Sequence, residues 1–140
     1  MKIDYLTAQI GSELPPLQLS PITRTTLALF AGASGDHNPI HIDLDFAQAA
    51  GQGDVFAHGM LTMAYVGRLL TGWVPQRQLR SFNLRFMGIT HLRDALVCTG
   101  KIVDKFEQHG EHLLRVEVAS QDGAGNTKTV GEALIAISGK

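Results

Sequence analysis

The longest stretch with helical patterning runs from His58 to about Gly72, where Leu61, Ala64, Leu69 and Leu70 supply apolar positions. Thr62, Ala64 and Gly67 keep this helix slim, and its low polar content predicts burial on most sides. After Pro75 the pattern changes to strand-like runs over Leu79 to Met87, Ala95 to Phe106, His112 to Ser120 and Lys128 to Ser138. Leu114, Val116 and Val118 alternate with Arg115 and Glu117, the period of two that marks a half-buried antiparallel strand. Gly123, Gly125 and Asn126 place the last hairpin. One buried helix followed by several long strands predicts an α+β domain in which an antiparallel sheet wraps around that helix.

Upstream, Pro15, Pro16 and Pro21 make residues 11–22 an extended lead-in. Thr23 then caps a short helix with Leu27, Phe30 and Ala31 at i, i+3 and i+4 spacing. Ser34 to His41, SGDHNPIH, interrupts it, because Gly35-Asp36 and Asn38-Pro39 are both turn-forming pairs. Asp43 to Ala50 reads as a second short helix closed by Gly51 and Gly53.

Length and charge narrow the classes. The 140 residues suit a single domain spanning 1–140. A formal net charge of -1 offers no global field for nucleic acid or anionic lipid, so an anionic ligand needs a local cluster. No apolar run approaches the roughly 20 residues that span a bilayer. Met1 to Ile10 has no signal-peptide core, and the one cysteine, Cys98, allows no intrachain disulfide. These features place the protein in the cytoplasm. Cys98 lies within the strand-like run Leu96 to Val103 and is expected to behave as a buried hydrophobe rather than a nucleophile.

The interrupting loop carries the candidate chemistry. Asp36, Asn38 and His41 fall close together, with Pro39 stiffening the path, and a carboxylate and an imidazole held this way can share one water. Spacing alone fits a blander reading better, an Asx-type turn with His41 on the surface. In Ala57-His58-Gly59-Met60, at the start of the long helix, the N–H of Gly59 is placed to polarise a carbonyl; the glycine equally suits a sharp turn or tight packing. His37, His41, Asp43, Asp45 and His58 invite a metal, but Pro39 opposes the helix that His37 and His41 would need to act as an i, i+4 ligand pair. No metal site is expected. A phosphate-cradling glycine motif, a CxxC and a GxSxG elbow are all absent from the sequence.

The segment Phe30 to Ala47, FAGASGDHNPIHIDLDFA, resembles the signature of MaoC-like (R)-specific enoyl-CoA hydratases and 3-hydroxyacyl-thioester dehydratases: an aromatic, Ser-Gly-Asp-x-Asn-Pro-Ile-His, and an alanine after five more residues. AHGML at Ala57 to Leu61 is similar to the family's entry into its central helix, and FNLRFMGITHLRDALVCTGKIV at Phe82 to Val103 to its strand-turn-strand region. The likeness covers roughly residues 20–138. It implies a hot-dog fold, Asp36 and His41 as a catalytic dyad, and Gly59 as the oxyanion-hole N–H. Ser34, Asn38 and His58 are the implied substrate-binding residues, Ser34 also shaping the loop and Asn38 supporting the dyad. The implied reaction is reversible addition of water to a trans-2-enoyl thioester of coenzyme A or acyl carrier protein, giving the (R)-3-hydroxyacyl product, without a cofactor and in a homodimer or higher homo-oligomer.

Asp54, Phe56, Gly88 and the run Leu92-Arg93-Asp94 depart from the family pattern, and these changes bear on the acyl pocket and on carrier contacts. Arg80, Arg85, Arg93, Lys101 and Lys105 are candidates for coenzyme A phosphates, although lone basic residues on strands are more often simply solvated. A hot-dog thioesterase and a non-catalytic acyl-binding subunit are the alternatives. The complete Asp36/Asn38/His41 loop argues against both.

Overall fold

The proline-rich lead-in touches the sheet before any helix forms in the computed structural model, which describes residues 5–137. Its strand β1, Leu17–Gln18, pairs antiparallel with Val97 and Cys98, and Glu13 bridges to Lys101. Two residues flanked by prolines carry no alternation, so the sequence marks this segment as extended without identifying a fifth strand.

Helix α1, Arg24–Ser34, starts where Thr23 Oγ1 accepts the Thr26 N–H at 3.1 Å. It stops at Gly35, whose φ of 77° is a left-handed conformation that glycine adopts without strain. Helix α2, Leu44–Ala49, is capped by Asp43, whose carboxylate accepts the Phe46 N–H at 3.2 Å. Helix α3, Gly59–Trp73, has His58 as its N-cap and leads into strands β2 (Leu79–Phe86), β3 (Val97–Gln108), β4 (Glu111–Gln121) and β5 (Thr127–Ala136). The sheet order is β1-β3-β4-β5-β2, with every neighbouring pair antiparallel. The α+β architecture and the expected strand runs are therefore present; the final run ends at Ala136, and Ser138 lies outside the described residues.

The sheet curls over α3. Val66 and Leu70 of the helix are fully buried in a core with Cys98, Leu114, Val116 and Ile135. Burying a Val or Leu side chain stabilises the fold by about 1.5–3 kcal/mol. The expectation of a helix buried on most sides needs correction. Leu61, Thr62, Val66, Leu69, Leu70 and Trp73 face inward, whereas Met60 (56% exposed), Ala64, Arg68 and Thr71 form an open face. A single sheet covers one side of a helix, and small residues such as Ala64 conceal from the sequence which side that is.

The β2–β3 loop matters because it walls the approach to α3. Thr90 O accepts the Ala57 N–H at 2.9 Å, and Phe56 forms an isolated bridge with His91. Lys128 clamps this loop to the β4–β5 hairpin: its ammonium donates to Ile89 O at 2.7 Å and lies 3.5 Å from Asp122 and 3.8 Å from Asp94. Asp122 also accepts the Ala124 and Asn126 N–H groups and the Asn126 side-chain amide. Those bonds, and Lys128 behind them, hold its carboxyl down at about 2. None of the described helices is long and apolar enough to cross a membrane.

Two expectations follow. Cys98 has no exposed surface, and burial pushes its thiol up to about 11, so native protein at mildly alkaline pH should not react with a soluble disulfide reagent until denaturant is added. Because Asp122 is depressed from 3.8 to about 2, its contribution to stability is fully present above the unfolded value and is lost as pH falls through the folded one. Asp122→Asn should therefore make urea midpoints fall less steeply than wild type between about pH 4 and about pH 2.

Candidate active site

A ladder of local hydrogen bonds shapes the loop after α1. Ser34 Oγ accepts the Asp36 N–H at 3.2 Å, Asp36 Oδ1 accepts the Asn38 N–H at 3.2 Å, and Asn38 Oδ1 accepts the Ile40 N–H at 3.1 Å. Each step spans two residues, the geometry of Ser and Asx turns. The last step caps a short 3-10 turn, Pro39–His41. The bland and the chemical readings of the loop thus meet: Asx turns do build it, but they turn His41 inward, to 8% exposure, while Asp36 stays at the surface.

The tautomer of His41 follows from its partner. Nδ1 lies 2.7 Å from the Phe56 carbonyl oxygen, which can only accept, so Nδ1 carries the proton and Nε2 keeps a free lone pair. His58 is fixed in the opposite sense. Its Nε2 donates to the Asp36 carbonyl at 3.2 Å, and its Nδ1 is buried with no hydrogen-bond partner among the described residues. The His58 ring stacks on His41, with centroids 4.0 Å apart and planes 28° apart, and meets Phe30 edge-on at 4.9 Å. Burial, and next the neighbouring His41, push the His58 pKa below 6.5, against a weaker opposing pull from Asp36. A bare buried acceptor of this kind costs about 1–3 kcal/mol.

Gly59 opens α3. The first N–H groups of a helix have no partner within it, and the N-cap His58 makes no side-chain capping bond. Its φ is not positive, so glycine is not required there for backbone conformation. An added Cβ would sit 3.3 Å from the ring of Phe86, which is half-exposed at the end of β2. Close packing under Phe86 and an open N–H at the helix end therefore coexist at this position. Thr62 Oγ1 donates to Gly59 O at 2.5 Å, locking the first turn.

Of the residues considered as metal ligands, His41 and His58 gather, joined by Asp36; one ligand-type atom from each lies within 4.8 Å of the others. His37 and Asp45 are exposed elsewhere, and Asp43 caps α2. His41 Nδ1 and His58 Nε2 are each committed to a backbone carbonyl, which leaves one ring nitrogen on each histidine uncommitted among the described residues.

The basic candidates are dispersed. Arg80 is paired with Glu111 at 2.6 Å, and Lys105 lies over the Tyr5 ring at 4.5 Å. Arg85 and Lys101 are exposed at strand positions that alternate with the inward-facing Leu84 and Ile102, on the far side of the sheet from α3. Arg93 is exposed at the tip of the β2–β3 loop, and Asp54 is taken up by Arg24 in a two-bond pair at 2.6 and 2.9 Å. The sequence did not reveal the roles of Phe56, Phe30, Phe86 and Thr62. A backbone carbonyl such as that of Phe56 has no sequence signature, and ring contacts between distant segments exist only in the fold.

The MaoC like domain family matches residues 7–123. The chain is 39% identical over 64 residues to 3-hydroxyacyl-thioester dehydratase Z of Mycobacterium tuberculosis, an alignment covering 46% of this chain and 42% of that protein. It is 28% identical over 120 residues to fatty acid synthase subunit beta of Saccharomyces cerevisiae, covering 81% of this chain and 6% of the relative. It thus spans less than half the length of these two relatives. R-hydratase PhaJ1 from Pseudomonas aeruginosa superimposes with a TM-score of 0.83 at 27% identity, over 98% of this chain and 87% of that one. The hot-dog fold is common to both.

Proposed function

Since the chain belongs to the MaoC-like dehydratase domain family, we propose that it is a hydro-lyase that adds water reversibly to a trans-2-enoyl thioester, giving the (R)-3-hydroxyacyl thioester. The observation that carries this reading is the free Nε2 of His41, fixed by the bond from Nδ1–H to Phe56 O, in a cluster with the Asp36 carboxylate beside the N-terminus of α3. In hydration, Gly59 N–H donates a hydrogen bond to the thioester carbonyl oxygen, stabilises the negative charge that develops there and makes C3 electrophilic. Asp36 orients a water, and His41 Nε2 takes its proton as the O–C3 bond forms. The dyad then returns that proton to C2, so one water is consumed and the residues end as they began. Dehydration is the same path reversed.

The reaction needs no metal or other cofactor, the coenzyme A or acyl carrier protein being part of the substrate. A cytoplasmic setting and association of at least two copies belong to the same proposal. The open face of α3 and the position of β2 at the sheet edge support that association.

Product analysis with crotonyl-CoA tests the reading: 3-hydroxybutyryl-CoA is expected, whereas free coenzyme A would identify a thioesterase, and no turnover of any enoyl thioester a non-catalytic subunit. Asp36→Asn retains an acceptor for the Asn38 N–H, so its loop should survive while turnover falls at least about 100-fold, and His41→Ala should lose a similar factor. Either variant keeping near-wild-type turnover would remove that residue from the dyad. Gly59→Pro deletes the proposed oxyanion donor at a first-turn position where proline is tolerated, after a His58 whose φ of -58° and ψ of 135° suit a residue before proline. Its turnover should drop by the equivalent of roughly 3–4 kcal/mol. Gly59→Ala adds the same Cβ against the half-exposed Phe86 but keeps the donor, and should stay within about fivefold of wild type.

A further inference from the structure

His58 joins the three groups of the proposed mechanism without itself taking part in a chemical step. It precedes Gly59 in the chain, donates to the Asp36 carbonyl at 3.2 Å and lies face to face with His41 at 4.0 Å. At 1% exposure, and closed off by Phe30 at 4.9 Å, it is not open to a ligand as the chain stands. A leucine or phenylalanine would fill such a position without leaving a buried nitrogen bare, as Nδ1 is here. Packing therefore does not explain a polar ring at this position. Its two specific links do.

Building on the hydratase reading, we propose that His58 is a positioning residue that fixes Asp36 and His41 relative to each other and to the amide of Gly59. Its bond to the Asp36 backbone determines where the loop carries the carboxylate. The bond from His41 Nδ1–H to Phe56 O would by itself leave the His41 ring free to pivot about that contact; the stack on His58 removes the pivot while keeping Nε2 at the ring edge. Such preorganisation acts on turnover rather than on substrate affinity, because His58 holds groups and does not touch the acyl thioester. The role also requires His58 to remain neutral, since a second positive charge at this distance would oppose proton uptake by His41. Burial supplies that neutrality.

Two variants separate the links. His58→Phe keeps a flat ring on His41 and removes the donor, whereas His58→Gln keeps an N–H donor and removes the ring. With crotonyl-CoA, each should lower kcat at least about tenfold while KM stays within about threefold. A raised KM with unchanged kcat would make His58 a substrate contact, and kcat within about twofold of wild type in both variants would leave it no positioning role; either result overturns the proposal. A measurement on the wild-type chain is independent of turnover and of how the variants fold. Nitrogen-15 NMR of the histidine rings should show His58 still neutral at pH 6.5, with its proton on Nε2, and the Nδ1 of His41 protonated. A charged His58 at that pH, or one with its proton on Nδ1, would overturn the proposal even in an active hydratase. The expected tautomers in a chain that hydrates no enoyl thioester would support the geometric link while overturning the hydratase reading.

Discussion

The hydrogen bond from His41 Nδ1–H to the Phe56 carbonyl is the contact on which the rest of the site depends. It joins two segments that meet only in the folded chain, the loop after α1 and the approach to α3, and it decides which nitrogen of His41 is free. Without it the imidazole could hold its proton on either nitrogen, and its proximity to Asp36 would carry little chemical meaning. The carbonyl is in turn held by its surroundings. Phe56 bridges to His91, Ala57 donates to Thr90 O, and Lys128 binds the same loop through Ile89 O.

The sheet thus serves the site at one remove. Curled over one face of α3, it fixes where the helix begins, and β2 delivers Phe86 to Gly59 at the first residue of the helix. Apolar burial of Val66, Leu70, Leu114 and Ile135 supplies the rigidity, and the polar contacts supply direction. The arrangement follows a general division of labour in which a packed scaffold holds loop residues that would otherwise wander.

Two features of the site run against stability. His58 is a buried imidazole with a bare nitrogen, and Gly59 stands in a helix where alanine would be intrinsically preferred. Violations of this kind collect where a fold serves chemistry rather than packing alone. The exposed Arg24–Asp54 and Arg80–Glu111 pairs, by contrast, are ordinary surface contacts worth little to stability.

The sequence by itself determined the local pieces. Alternation in β4 gave an antiparallel strand, Thr23 gave a helix cap, and Asp36 and Asn38 gave Asx-type turns, because each rests on interactions between residues a few positions apart. The SGDHNPIH and AHGML segments pointed to the family for the same reason: a short loop keeps its chemistry within a few residues. Only the tertiary structure decided which face of α3 is covered, that Leu17–Gln18 adds a strand, that His58 is sealed beneath His41, and which nitrogen of each imidazole is bare. Those outcomes depend on backbone carbonyls and ring faces brought together from distant parts of the chain, and such partners leave no mark on the order of side chains.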